Sequence, residues 1–164
     1  MEHKTIAPVK PPDPLSRRVT EIVLAKKFFD AIEQKWDRSA ALEILRQVVR
    51  SDAESAAAAV PGRPESRTFA DLYEVWKVLG GENRLALELD ELSGEALRFH
   101  VNACAYAEEY EKRGLTGIGV EFSCRRDKPF AEALLPGVRL TQSRTIMEGG
   151  TRCEFEYRLG GKKQ

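Results

Sequence analysis

The chain has 164 residues and balances 26 Lys+Arg against 26 Asp+Glu, so its formal net charge is zero; this is the length of one domain with a core of its own. Balanced charge with no basic block argues against a nucleic-acid or anionic-membrane partner, and no apolar run approaches the roughly 20 residues that span a bilayer. The N-terminus lacks the apolar core of a signal peptide, and three cysteines in an otherwise ordinary composition fit free thiols in a reducing compartment, so a cytoplasmic protein is expected.

Residues 1–12 are rich in Pro and Lys and read as a flexible arm. A single α+β domain is expected over 13–164, helical over 13–81 and carrying the sheet and the site over 82–164. Asp13-Pro14 suits an N-cap followed by proline at the first helical position. Leu15, Val19, Ile22, Ala25, Phe29, Ile32 and Trp36 then recur at helical spacing and predict one amphipathic helix. A second helix is predicted over about 39–59 with Leu42, Leu45, Val49 and Ala53 inward, broken by Pro61-Gly62-Arg63-Pro64. A third spans about 68–79, with Phe69, Leu72, Trp76 and Leu79 on one stripe and Gly80-Gly81 as its stop.

From Arg84 the period changes to two. Leu85, Leu87 and Leu89, a Ser93-Gly94 turn, then Leu97, Phe99 and Val101 predict a first hairpin, with His100 on the face away from the core. Asn102 suits the cap of a following helix, which sets Cys104 in the first turn, where the helix dipole favours a thiolate. Residues 115–126 fit helix or strand, and the helical reading is taken; Asp127-Lys128-Pro129 reads as its stop, with a connection over 130–137. Gly149-Gly150 reads as a hairpin turn, which sets Ile146 opposite Cys153 and Arg144 opposite Phe155. Cys153, Phe155 and Tyr157 form the buried face of the last strand, and Val138, Leu140, Gln142, Arg144 and Ile146 share it. A guanidinium on such a face calls for an anionic partner, internal or bound. The element order implies N-terminal helices on one face of a four-stranded antiparallel sheet made of two hairpins, with two short helices between them.

Several separated runs in the last third carry a resemblance: Cys104-Ala-Tyr-Ala-Glu, Gly114-Leu115, Cys124-Arg125-Arg126-Asp127, Leu140-Thr-Gln-Ser-Arg-Thr-Ile-Met-Glu-Gly and Cys153-Glu-Phe-Glu-Tyr. In order and kind they resemble the L-2-amino-thiazoline-4-carboxylic acid hydrolase family, with Glu154 where that family more often has Asp. The resemblance implies hydrolytic opening of a cyclic amidine thioether to N-carbamoyl-cysteine, on a route to cysteine biosynthesis. At the level of fold, the C-terminal part is also similar to small-molecule-binding domains of the vinyl-reductase type, and a non-catalytic sensor is the alternative that this implies.

Such a substrate needs a cation for its carboxylate and an attacking group with proton transfer at the amidine carbon. Arg144 is the choice for the carboxylate, with Arg126, Glu148 and Tyr106 as further substrate contacts. Cys104, at a helix start, and Cys124, beside Arg125, Arg126 and Asp127, are the candidate reactive thiols. Asp127 or Glu148 is the candidate acid/base group, and water, a thiolate or a metal-bound water all stay open as the attacking species. No cofactor is called for. Cys104, Cys124, Cys153 and His100 have the ligand chemistry for zinc but none of the close spacing of a zinc motif, and with only His3 and His100 in the chain histidine-based catalysis is nearly excluded. The sequence sets no oligomeric state.

Overall fold

The computed structural model of the chain describes residues 12–81 and 83–160. The arm expected over 1–12 therefore lies, but for its last residue, outside the described residues.

Two long helices open the fold. Helix α1 (Pro14–Lys35) starts where Asp13 accepts the amides of Leu15 and Ser16 at 3.0 and 3.1 Å, satisfying two of the donors that a helix start leaves open. Helix α2 (Arg38–Ala58) is capped in the same way by Asp37. Helix α3 (Phe69–Gly80) begins with a reciprocal Thr68–Asp71 capping box.

Strands β1 (Leu85–Leu92) and β2 (Ala96–Cys104) form the first hairpin, and β3 (Val138–Gln142) and β4 (Cys153–Leu159) the second. They make one antiparallel sheet of order β1-β2-β4-β3, the last strand pairing centrally because Phe99 and Val101 of β2 oppose Phe155 and Cys153. Between the hairpins lie three short helices rather than two: α4 (Ala105–Lys112), α5 (Thr116–Phe122) and α6 (Asp127–Leu134).

The additional helix corrects the sequence reading. Asp127-Lys128-Pro129 does not end a helix but begins one, because a proline in the first turn lacks only an N–H that has no intrahelical partner there. Residues expected to connect are helical to Leu134. The hairpin register is corrected as well. Leu140 pairs with Tyr157 and Gln142 with Phe155, two residues from the expected alignment, because Ile146–Glu148 winds into a single 3₁₀ turn. Gly149 closes that turn at φ +82°, and a Cβ on Gly150 would meet the Arg144 carbonyl at 2.6 Å, so the glycine pair ends the turn instead of being the whole hairpin loop. A slip of two keeps every β4 side chain on its expected face.

Two cores result. The first lies under the sheet, where Trp76 of α3 meets Phe99 and Phe155 at ring-centroid distances of 5.1 and 4.7 Å and donates Nε1–H to the Tyr157 hydroxyl at 3.2 Å. These aromatic contacts, each worth about 0.5–1.5 kcal/mol beyond area burial, fix the helices to one face. The second core is helical, with Ile22, Phe29, Leu45, Tyr110 and Ile118 from α1, α2, α4 and α5. Cys104 and Ile146 pack against both, so the seam between the cores runs past the residues that the sequence singled out. Among the described residues no helix is long and apolar enough to cross a membrane.

Candidate functional site

The seam gathers groups that are far apart in sequence. Strand β2 runs to Cys104, so Asn102 is not the helix cap and Cys104 itself is the cap residue of α4. The 3₁₀ turn Cys124–Arg126 leads directly into α6 and turns Cys124 and Asp127 inward. Cys153 opens β4, where its sulfur accepts the Ile146 amide at 3.2 Å. The Asp127 carboxylate and all three sulfurs lie within electrostatic reach of one another.

Burial sets the electrostatics here. The Asp127 carboxyl sits in the interior, and desolvation pushes it up to about 7 against the pull of Arg126, of a Gln142 hydrogen bond and of Arg18. That hydrogen bond, Gln142 Nε2–H to Asp127 Oδ2 at 3.5 Å, is the one the carboxylate receives among the described residues. Both candidate thiols lie where burial opposes ionisation. Desolvation raises Cys104 to about 11, outweighing the nearby amides of Ala107 and Tyr106. Cys124 is raised further by burial and by the Asp127 charge, against a hydrogen bond with Thr145. The cations beside it in sequence point elsewhere: Arg125 Nε meets Glu121 at 3.0 Å and Arg126 Nε meets Asp52 at 2.8 Å.

Arg144 is also corrected. Strand β3 ends at Gln142, so Arg144 has left the sheet; it is exposed and donates Nε–H and Nη2–H to the Glu148 carbonyl at 2.9 and 2.6 Å. Glu148 caps the 3₁₀ turn by accepting the amide and hydroxyl of Thr145, both at 2.9 Å. The Tyr106 hydroxyl is buried without a hydrogen-bond partner among the described residues, in the electrostatic reach of Arg84, Cys104, Asp13 and Arg18.

The zinc alternative finds no support in the geometry. Among the described residues no group of three or more His, Cys, Asp and Glu side chains could hold a metal ion. His100 is engaged on β2 by Asp90 at 3.0 Å and Glu88 at 3.1 Å, whose charges raise its pKa.

Two residues outside the expected site belong to the seam. Thr145 is 3% exposed and bonds both Glu148 and Cys124. Gln142 was legible as a polar side chain on a core-facing strand position, the signal that reading attached to Arg144 instead.

A cleft of about 830 Å³ opens beside the seam, between α2, the α5–α6 corner and β3, within the size range of small-molecule sites. Cys124 and Gln142 lie in its wall, with Arg46, Arg50, Arg125 and Lys128 around it. Glu121, in the same wall, accepts two hydrogen bonds from Arg46 at 2.7 and 2.8 Å, which with Arg125 lower its pKa despite burial. A smaller concavity of about 390 Å³ on the outer face of the sheet is lined by Arg98, His100, Arg152 and Glu154, charges that already pair with neighbours.

Fold and cleft together define a class: a small α+β protein with helices on one face of an antiparallel sheet and a concave site where helices meet the sheet's edge. The profile of the L-2-amino-thiazoline-4-carboxylic acid hydrolase family matches residues 17–157, and the chain belongs to that family. The match takes in the N-terminal helices as well as the segment that carries the resemblance. No curated protein matches the sequence.

Proposed function

We propose that the chain is a hydrolase that opens the ring of 2-aminothiazoline-4-carboxylate, or a closely related cyclic amidine, to N-carbamoyl-cysteine, and that it does so in the cleft beside Cys124 and Gln142. One observation carries the reading in a member of this family: an interior carboxyl group, Asp127, titrating at about 7 behind the cleft wall with one loose hydrogen bond. A buried, under-partnered carboxyl is costly to keep, and a group half-ionised near neutrality is suited both to take and to return a proton.

In this reading the oxygen of water bonds to the amidine carbon as the C=N π pair moves onto the ring nitrogen, which takes up one of the water's two protons. The resulting tetrahedral carbon expels sulfur as its C–S bond breaks and C=O forms, and the proton given up by the hydroxyl ends on the departing sulfur. Asp127 exchanges that proton through water entering beside Gln142. Cys104 and Cys124, raised well above neutrality, are neutral thiols, the second of them in the cleft wall, which favours water over a thiolate as the attacking group. The substrate carboxylate meets Arg50 and Lys128 on the rim, whose nearest carboxylates stand 3.9 Å away, rather than Arg144, whose guanidinium is held by its own loop.

The test is incubation of purified protein with 2-aminothiazoline-4-carboxylate while thiol release is followed with a chromogenic disulfide. Saturable release above buffer is expected; saturable binding without release would remove the enzymatic reading.

A further inference from the structure

Among the described residues, Gln142 is the one side chain that both lines the cleft and bonds Asp127. It extends from the last residue of β3, on the core-facing side opposite Phe155, so its backbone is fixed by the sheet. Its Nε2 is turned to the carboxylate, and Oε1 has no hydrogen-bond partner among the described residues. A carboxamide is planar, so fixing one end fixes the other. A half-buried acceptor with no protein partner, in the wall of a cleft, is suited to a donor on a ligand.

We propose that Gln142 selects for an amidine nitrogen: held through Nε2 by ionised Asp127, it offers Oε1 to the exocyclic N–H of the bound ring. This deepens the hydrolase reading and rests on it. Asp127 thereby acts as a positioning residue for Gln142 in addition to its proposed part in proton exchange. When Asp127 is protonated its O–H becomes a donor, the better partner is Oε1, and the carboxamide turns over to present N–H groups to the cleft. An amino-bearing ring then meets donor against donor and loses its advantage.

The groups around Asp127 leave it in control of this behaviour. Arg126 beside it and Arg18 from α1 are the guanidinium groups that pull against its desolvation. The thiols of Cys104, Cys124 and Cys153, from β2, the α5–α6 corner and β4, and the Tyr157 phenol of β4 all have raised pKa values and stay neutral.

The experiment uses two rings that cannot be hydrolysed, 2-aminothiazole-4-carboxylate and thiazole-4-carboxylate, which differ in the amino donor alone. Their affinities for the full chain are measured by calorimetry at pH 8.0 and 6.0. A site built to bond a donor discriminates strongly against a ligand that lacks it, so at pH 8.0 the amino compound is expected to bind at least about tenfold more tightly. The preference should fall to about twofold or less at pH 6.0, and to the same level at pH 8.0 in Gln142→Leu; Gln142→Met, of similar length and without the carboxamide, serves if the leucine variant fails to fold. Asp127→Asn should remove the pH dependence of the preference. Equal binding of the two rings by the wild-type chain, or a preference that survives loss of the carboxamide, overturns the role of Gln142 alone. Failure of both rings to bind overturns the hydrolase reading with it.

Discussion

Two interior carboxylates six residues apart behave in opposite ways. Glu121, at the end of α5, is 8% exposed, yet its pKa is lowered, because Arg46 supplies two hydrogen bonds and Arg125 a third. Asp127, at the start of α6, has Arg126 and Arg18 within electrostatic reach but receives one hydrogen bond at 3.5 Å, and burial raises it to about 7. Close pairing thus gives a fixed anion in one place, and stronger desolvation with a single loose hydrogen bond gives a raised carboxyl in the other. Partners and depth together decide the charge. The paired carboxylate joins α2 to α5, and the under-paired one is the proposed proton carrier.

The widest separation of the two should appear in turnover. Asp127→Asn is expected to lower kcat/KM for the thiazoline by about 10²–10⁴, the usual contribution of a positioned acid/base group, while Glu121→Gln leaves it within a few-fold. Thiol-release kinetics on both variants decide this, and equal losses would erase the distinction.

Stability against pH should separate them next, with opposite signs. Because the Asp127 pKa is higher in the folded than in the unfolded chain, its contribution is fully present below about pH 4 and is lost as the pH rises through about 7, on the order of a few kcal/mol in all. Urea unfolding between pH 4.5 and 8 should show this decline in the wild type and a flatter profile in Asp127→Asn. For Glu121 the folded pKa is lowered, so its contribution is present above about pH 4.5 and disappears as the pH falls through the lowered value. Glu121→Gln should cost about 1 kcal/mol at pH 7 by the same measurement, since its guanidinium partners are themselves half exposed.

A smaller effect sharpens the picture of the seam. Cys104 and Cys124 should be alkylated at pH 7.5 at least about tenfold more slowly in the folded chain than in urea, as thiols kept protonated by burial; quantitative mass spectrometry reads this site by site. The smallest change is expected at Arg144, which bonds only its own loop: Arg144→Ala should alter kcat/KM by less than about twofold, and a large rise in KM would restore that residue as the anion anchor.

Much of the fold was legible in local pattern. The spacing from Leu15 to Trp36, the Asp13-Pro14 start and the alternation of Cys153, Phe155 and Tyr157 report on one element at a time, and α1 and β4 follow them closely. Local signals failed where two elements compete for the same residues. Asp127-Lys128-Pro129 suits both an end and a beginning, and packing of α6 on α2 and β3 selected the beginning. Gly149-Gly150 suits both a hairpin loop and the close of a 3₁₀ turn, and the reciprocal bonds of Thr145 and Glu148 selected the turn. That choice moved Arg144 off the sheet and left Gln142 as its last inward polar side chain.

By itself, then, the sequence determined the α+β class, the two hairpins and the faces of the strands, because these depend on periodicity and on neighbours in the chain. The tertiary structure alone decided which carboxylate is neutralised and which titrates, that the thiols are protonated, and which side chain stands between Asp127 and the cleft. These depend on desolvation and on partners 15 to 75 residues away in sequence, quantities that no local pattern encodes.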